Sequence, residues 1–547
     1  MIGFTCKYAP VELLAGFGAE CRELNAEAEN FDYAQGLTHM NMCSHIKALI
    51  EEVHRESAEE LVLVNCCDSL RRAYDILKPS MKFLFLLDLP HNDNSCARER
   101  LADELKRLFT EYRAYSGKEF SFDAFRKAFT RQEVTVTEPH VALLGGRIGE
   151  GMLAQLRREL PLPVIDRTCN NNRDMAAPPE GLSLDGLLDW YAGELLGQVP
   201  CMRMADISGR RRLLESPNLK GIIYHTVKFC DYYGFEYEMI RQHADVPMIR
   251  IETDFTMQSL GQLSTRIGGF AESLGLGKEI KVEGTGQYVA GIDSGSTTTN
   301  MAVLDRDGNL VDHCIVRTGA KAQRGAENAL NALKIPRSQI AAIVATGYGR
   351  KNIDFADSCI TEITCHARGA FHLDPRVRTI IDIGGQDSKA ISLDEEGNVL
   401  NFAMNDKCAA GTGRFLENMA RVLETDLEGI SKAGLEWKED LTISSMCTVF
   451  AESEVVSLIA DNKQISDIVH GLNKSVASKT MNLVGRVKGT GRYMMTGGVA
   501  RNAGVAECIE ELLGEKLIIP EVPDLCGAVG AALFALDAVN NSGKQEN

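Results

Sequence analysis

Short apolar runs alternate with amphipathic stretches through the first half of the chain. The stretches between the runs, such as 96–115 and 183–196, carry apolar residues at helical spacing. Strand and helix in alternation indicate a parallel sheet wrapped by helices, and we expect two such lobes. The apolar runs predict strands at 61–65, 82–90, 140–146, 163–168, 220–229 and 247–254.

The second half contains an internal repeat. Residues 291–313 and 381–402 both have the pattern of strand, Gly turn, strand, Asp/Gly turn and strand, and the two copies are offset by 89 residues. This predicts a duplicated domain whose two similar lobes face a cleft. The glycine-rich stretch between the halves predicts a linker at 275–287, with domains at 1–274 and 288–547.

Composition narrows the class of protein. The 547 residues are enough for three or four folding units, and the formal net charge is −17. This acidic balance argues against nucleic acid or an anionic membrane surface as the main partner. No apolar run approaches the length of a membrane span, and no basic start precedes an apolar stretch, so we expect a cytoplasmic protein.

Sixteen cysteines occur without a single C-x-x-C pair, which excludes a zinc ribbon or a ferredoxin-type run of ligands. Several of them follow predicted strands, and the carboxyl ends of parallel strands meet at one edge of a sheet. These thiols can therefore converge on one crevice, although each taken singly could also be a small core residue. The cysteines at strand ends or at the start of a helix are Cys43, Cys66, Cys67, Cys96, Cys169 and Cys230.

The turns of the repeat predict a nucleotide cleft, with generic turns as the alternative. Glycines let backbone amides approach phosphate, hydroxyl groups add donors, and an aspartate can hold magnesium or its waters. We expect Asp382 and Gln386 to orient the attacking water and Asp293 to lie near Mg²⁺. The predicted nucleotide-binding residues are Gly295, Ser296, Thr297, Thr298, Gly384, Gly385, Gly497 and Gly498.

This constellation resembles the superfamily of acetate kinase, sugar kinases, Hsp70 and actin. The motifs at 345–350, 381–389, 405–420, 444–455 and 496–502 further resemble the ATP-dependent activators of 2-hydroxyacyl-CoA dehydratases and benzoyl-CoA reductases. The resemblance covers residues 287–538. It implies an ATPase that drives electrons to low potential, reloaded by a ferredoxin or flavodoxin.

The resemblance also implies a [4Fe–4S] cluster shared across a homodimer and held by Cys408 and Cys447 of each chain. Gly411 and Gly413 would keep the backbone beside Cys408 open. In one respect the chain departs from its relatives, which commonly carry Lys where this chain has Asn300.

Segments of the first half, at 8–18, 42–52, 65–77, 228–240 and 251–272, resemble the 2-hydroxyacyl-CoA dehydratase and double-cubane-cluster protein family. The resemblance implies a second iron–sulfur cluster, either [4Fe–4S] or double cubane. Its implied ligands are Cys43, Cys67 and Cys230, with Cys201 as a possible fourth and Cys66, Cys96 and Cys169 as further thiols.

Two details qualify this expectation. Adjacent Cys66 and Cys67 are not expected to face the same cluster. A helical stretch that surrounds the substrate pocket of dehydratase subunits has no counterpart before 140–146, so an acyl-CoA substrate is not assigned. For His91 and His225 a core or surface role is favoured over metal binding.

The combined prediction is an α/β enzyme that uses ATP to transfer electrons to its own reductase or dehydratase site. That site would act on a small-molecule substrate. The sequence does not decide between dehydration and reduction. One alternative is a small-molecule kinase of the same superfamily with structural thiols. Another is a non-catalytic protein for iron–sulfur storage or assembly.

Overall fold

In a computed structural model the chain forms two compact units, Met1–Ile267 and Gly268–Asn547. The structure describes residues 1–25, 27–129, 137–171, 173–256, 263–276, 280, 284–405, 409–443 and 448–545. The predicted linker lies partly outside these ranges, and the domain boundaries drawn from sequence stay predictions. No helix in the described ranges combines the length and the apolar character needed to cross a bilayer.

The first unit contains two parallel four-stranded sheets. One has the order β2-β1-β3-β4 and the other the order β6-β5-β7-β8. Every predicted strand overlaps an observed one, whereas β1 and β2 lie in segments for which no strand was predicted. The strands are β1 (Ile2–Phe4), β2 (Cys21–Glu23), β3 (Glu60–Val64), β4 (Phe83–Leu87), β5 (His140–Gly145), β6 (Val164–Asp166), β7 (Leu219–Val227) and β8 (Met248–Thr253).

Amphipathic helices cover these sheets, and α5 shows how the sequence sets them. The Asn94 side chain accepts a hydrogen bond from the backbone N–H of Ala97 at its start, and Gly117 ends it in the left-handed conformation. The described helices up to Ser273 are α1 (Val11–Ala15), α2 (Asp32–Leu37), α3 (Ser44–Glu56), α4 (Asp68–Leu77), α5 (Ser95–Ser116), α6 (Phe122–Lys127), α7 (Glu150–Glu159), α8 (Leu184–Gly197), α9 (Asp231–Arg241) and α10 (Leu263–Ser273).

The second unit also has two sheets, and they share one topology. Each begins with three antiparallel strands and adds a strand parallel to the first, in the orders β11-β10-β9-β12-β13 and β16-β15-β14-β17. This confirms the predicted duplication. The strands are β9 (Tyr288–Ser294), β10 (Thr298–Leu304), β11 (Leu310–Arg317), β12 (Ile340–Thr346), β13 (Ser358–Cys359), β14 (Thr379–Ile383), β15 (Ser388–Leu393), β16 (Val399–Asn405) and β17 (Tyr493–Thr496).

The duplication extends beyond the repeat seen in the sequence. Thr346 pairs with Asp293, and Thr496 pairs with Asp382, each at the end of the parallel strand. Both threonines are followed by a glycine at positive φ. The helices of this unit are α11 (Ala322–Ala332), α12 (Glu362–Leu373), α13 (Gly413–Val422), α14 (Leu427–Ala433), α15 (Thr448–Ala460), α16 (Ile465–Val487), α17 (Ala503–Leu513) and α18 (Cys526–Gln545).

Candidate functional sites

A cleft of about 490 Å³ opens between the two lobes of the second unit. Gln386, which was predicted to orient the attacking water, is exposed on the turn after β14 and does not line the cleft. Gly411, which was predicted to lie beside Cys408, packs beside Lys479. Cys408 and Cys447 lie outside the described residues. The predicted residues that line the cleft are Asp293, Gly295, Ser296, Thr297, Thr298, Asp382, Gly384, Gly385, Gly413, Gly497 and Gly498.

The glycine turns have the same backbone geometry in both copies. The N–H of Gly295 donates to the Thr298 carbonyl at 2.9 Å, and the N–H of Gly384 donates to the Asp387 carbonyl at 3.0 Å. The first turn of α13 rests on the second of these turns, where the N–H of Gly413 donates to the Gly384 carbonyl at 2.9 Å. These hydrogen bonds hold both glycine turns and the positive end of α13 at the wall of the cleft, an arrangement that suits phosphate.

A network of buried charges forms the cleft floor around Lys389. Its ammonium contacts Asp382 at 3.2 Å and Glu362 at 3.6 Å, and it also contacts Asp387. Burial opposes ionisation of Asp382, yet His366 and Lys389 lower its pKa. Burial raises the pKa of Glu362 to about 7. The floor is therefore anionic next to the turns that would hold a nucleotide.

His366, on α12, lies between the aspartates of the two copies. Its Nε2 atom is 3.7 Å from Asp293 and its Nδ1 atom is 3.6 Å from Asp382. Burial would lower the pKa of His366, but the two carboxylates raise it well above the usual value. This residue was not predicted from the sequence, because it lies outside the repeat. Lys389 lies in the motif at 381–389 but was not singled out. Its place opposite Asp382, across the turn between two predicted strands, was the signal that could have identified it.

The first unit contains a separate cavity of about 60 Å³ that is lined by seven thiols. The structure brings together all four predicted ligands of this half, while Cys96 is exposed at the start of α5 and does not reach the cavity. Cys6, which was not singled out from the sequence, follows β1 as Cys66, Cys67, Cys169 and Cys230 follow their strands. The thiols are Cys6, Cys43, Cys66, Cys67, Cys169, Cys201 and Cys230.

Cys66 and Cys67 both line this cavity, and the expectation that only one of them faces a bound cluster stays a prediction. Consecutive side chains alternate between faces only within a strand. Here the chain changes from β3 to α4 between Val64 and Asp68. The two neighbouring thiols can therefore share a face.

Three of the predicted ligands occupy helix N-termini: Cys43, Cys67 and Cys230 are the N-cap residues of α3, α4 and α9. A hydrogen bond with the Cys66 thiol lowers the pKa of Cys67 to about 6, and one with Cys43 lowers the pKa of Cys230 to about 7. The first-turn N–H groups of these helices act in the same direction. The thiolate, which is the form that binds metal, is therefore favoured at Cys67 and Cys230, whereas hydrogen bonds with neighbouring thiols raise the pKa of Cys66 and Cys43.

Positive side chains surround the thiols. Arg203 donates to the Cys201 sulfur at 3.7 Å, and its guanidinium lies 4.8 Å from the centre of the Tyr232 ring. Lys7 lines the cavity as well, and burial lowers its pKa to about 8. These cations can offset the charge of several thiolates around a bound group.

Within the described ranges, no three His, Cys, Asp or Glu side chains meet closely enough to hold a single metal ion. The thiolates of an iron–sulfur cluster bind different irons, so they need not converge on one point. Soft thiolate donors around one cavity suit such a cluster. The roles of these cysteines as ligands stay predictions.

Comparisons with known proteins match the two halves of the chain to two different families. Residues 290–535 match the model of the BadF/BadG/BcrA/BcrD ATPase family, and residues 6–137 and 156–274 match that of the 2-hydroxyglutaryl-CoA dehydratase D-component. Over 261 residues the chain is 42% identical to the 2-hydroxyisocaproyl-CoA dehydratase activator of Clostridioides difficile. The matched region covers 47% of this chain and 98% of the relative.

A second relative and a solved structure match the same half. The activator of lactoyl-CoA dehydratase of Anaerotignum propionicum is 45% identical over 254 residues, covering 46% of this chain and 98% of the relative. A solved structure of the activator of the 2-hydroxyisocaproyl-CoA dehydratase from Clostridium difficile with bound ADPNP is 43% identical in sequence. The superposed region covers 47% of this chain and 97% of the solved chain, with a TM-score of 0.46. The chain therefore belongs to the BadF/BadG/BcrA/BcrD ATPase family, and it joins that ATPase in one polypeptide to a 2-hydroxyglutaryl-CoA dehydratase D-component domain.

Proposed function

We propose that this chain uses ATP hydrolysis in its second unit to deliver low-potential electrons to an iron–sulfur site in the thiol cavity of its first unit. The single observation that carries this proposal is the convergence of seven thiols on one cavity, in the same polypeptide as an ATPase cleft. A cluster bound there would supply one-electron transfer to a small-molecule substrate. Dehydration and reduction are both compatible with such a site.

In the cleft, the two glycine turns and the start of α13 would hold the phosphates of ATP. Asp382 would orient the attacking water and Asp293 would face Mg²⁺, because phosphoryl transfer depends on positioning and electrostatics. A bound γ-phosphate would be held by turns from both lobes. Its loss on hydrolysis would release one lobe from the other, and this is the movement that we propose for electron release.

In the thiol cavity, Cys67 and Cys230 would bind as thiolates, because hydrogen bonds with neighbouring thiols and helix N-termini lower their pKa. Cys43, whose pKa the hydrogen bond with Cys230 raises, would give up its proton on binding the cluster. Cys201 is held beside them, since its backbone N–H donates to Tyr8 at 3.2 Å. The further thiols of Cys6, Cys66 and Cys169 exceed what one [4Fe–4S] cluster needs. The donor set therefore favours a larger bridged cluster of the double-cubane kind.

The ATPase half supplies two predicted cluster ligands per chain, Cys408 and Cys447. A four-thiolate cluster would then require two copies, so we propose a homodimer. A ferredoxin or flavodoxin would reload the shared cluster. We place the protein in the cytoplasm, where thiols stay reduced.

Anaerobic purification of the full chain, with iron and sulfide analysis and electron paramagnetic resonance with and without ATP, tests this function. We expect clearly more than about four irons per dimer, and a signal that changes when ATP is added. About four irons per dimer would reject a cluster in the thiol cavity. A colourless ATPase would support the kinase alternative, and clusters that do not respond to ATP would support storage or assembly.

Variants separate the two clusters. Cys230→Ala should remove iron from the thiol cavity and spare the shared cluster, and Cys408→Ala should do the reverse. Cys96→Ala is the matched control, because this exposed thiol lies outside the cavity. Equal iron content in all three variants would reject the ligand assignment.

A further inference from the structure

The two copies of the repeat differ at one pair of equivalent positions. In the second copy Lys389 stands opposite Asp382 across β14 and β15, and its ammonium contacts that carboxylate at 3.2 Å. In the first copy, Asn300 stands opposite Asp293 across β9 and β10, in the same register. Position 300 therefore places a neutral amide where the second copy places a cation.

The amide oxygen of Asn300 is available to bind a ligand. The residue is only 7% exposed and lines the cleft, and its Nδ2 atom donates to the Asp524 backbone carbonyl at 2.9 Å. A carbonyl only accepts hydrogen bonds, so this contact fixes which end of the amide is nitrogen. The Oδ1 atom is buried and has no hydrogen-bond partner in the described part of the chain. An unpaired buried acceptor is costly, which points to a missing ligand.

The charges of the cleft floor indicate that the missing ligand is positively charged. Two cations face four acidic groups, and an excess of negative charge remains even when Glu362 holds a proton. Lys389 lies within 4.0 Å of three acids on the side of the second copy. Among the described residues, the basic partner of Asp293, on the other side, is His366 alone, which lies at 3.7 Å and is shared with Asp382. The groups of this floor are Asp293, Asp382, Asp387, Glu362, Lys389 and His366.

We propose that Asp293 and Asn300 form a site for a divalent cation such as Mg²⁺, and that this site is occupied without nucleotide. A carboxylate and an amide oxygen are hard ligands that Mg²⁺ accepts, with water completing the shell. Thr298 lies on the same face of β10 and adds a hydroxyl at the edge of the site. The cation takes the place that the Lys389 ammonium has in the second copy. The proposal uses the cleft of the proposed function but does not depend on electron transfer.

Equilibrium binding of Mn²⁺ to the nucleotide-free full chain tests this site. We expect wild type to bind about one more Mn²⁺ per chain than Asn300→Lys, whose ammonium would replace the ion, with affinity at least about tenfold weaker in the variant. Asn300→Asp should bind Mn²⁺ more tightly than wild type, because it adds a charge. The matched control is Asn328→Lys, which adds the same charge on an exposed position of α11 in the same lobe.

Thermal unfolding without nucleotide gives a second readout. Added Mg²⁺ should raise the midpoint for wild type and Asn328→Lys but not for Asn300→Lys. Equal Mn²⁺ affinity in wild type and Asn300→Lys would overturn the proposal, as would weaker binding by Asn300→Asp. Neither measurement uses ATP, so a chain that binds the cation but hydrolyses no ATP would reject the proposed function alone.

Discussion

The nucleotide cleft and the thiol cavity differ in what holds their polar side chains. In the cleft, Asp382 is fixed by Lys389 at 3.2 Å and by the Thr496 hydroxyl at 3.0 Å, so the acids are held by partners of their own unit. In the cavity, six separate segments each bring one or two thiols, whose main partners are other thiols, helix N-termini and Arg203. Substitutions in the cleft should therefore change its own chemistry and stability, whereas those in the cavity should change the properties of a bound group.

The largest expected effect is on ATP hydrolysis in Asp382→Asn. The substitution removes the carboxylate that we expect to orient water and leaves Lys389 and His366 without it. We expect phosphate release at saturating ATP to fall about 100-fold or more. Glu395→Gln, an exposed change in the hairpin turn of the same copy, should leave the rate unchanged. A rate for Asp382→Asn within a few-fold of wild type would mean that the network is structural only.

Gly347→Ala should destabilise the second unit, because Gly347 has φ +84° and a Cβ there would collide with the Asp293 carboxylate. We expect a loss of about 3 kcal/mol in the free energy of unfolding. Gly319→Ala is the control, since Gly319 also has positive φ but open space around it, and it should lose about 1 kcal/mol.

The two tryptophans of the chain make this measurement specific to one unit. Trp190 lies in the first unit and Trp437 in the second, where it stacks on His470 at 4.0 Å. In a Trp190→Phe background, fluorescence during urea unfolding reports the second unit. Equal losses for the two glycine variants would show that backbone conformation, and not the contact with Asp293, sets the cost.

In the thiol cavity we expect an effect on potential instead. Arg203 is half-buried beside Cys66, Cys67 and Cys201, and although burial opposes its charge, the negative charge that these sulfurs can carry raises its pKa. Arg203→Gln removes a positive charge, so the reduction potential of a bound cluster should fall by an amount on the order of 100 mV. A redox titration monitored by electron paramagnetic resonance measures this, with Arg211→Gln on the exposed surface as the control. An unchanged potential would mean that Arg203 does not face the cluster.

The same contrast explains which features the sequence could predict. The cleft follows from a repeat whose register is visible in the chain, so Asp293, Asp382 and both glycine turns were found. His366 was missed because nothing in its own segment marks its approach to both aspartates. In the cavity, Cys6 was missed because Gly3 interrupts the apolar residues of β1, so that no strand was predicted before it, and the shared face of Cys66 and Cys67 depends on a turn that only the fold defines.

His225 gives the smallest expected effect and tests the boundary between core and cavity. Its two ring nitrogens contact the Gly146 carbonyl at 3.0 Å and the Thr253 hydroxyl at 2.9 Å, which confirms the core role favoured from sequence. Burial lowers the pKa of His225 to about 4, from about 6.5 in an unfolded chain. Between these values the unfolded chain binds a proton that the folded chain does not, so stability falls as the pH falls.

This residue should therefore cost the first unit about 2 kcal/mol between pH 7 and pH 5. Iron-free protein in a Trp437→Phe background, unfolded by urea at each pH, isolates the first unit through Trp190. His225→Gln should be less stable at pH 7 and lose less on acidification, so the two curves should converge. His45 also has a lowered pKa, chiefly through its burial, so His225→Gln should keep part of the pH dependence. Parallel curves would mean that His225 keeps its ordinary pKa and opens to water.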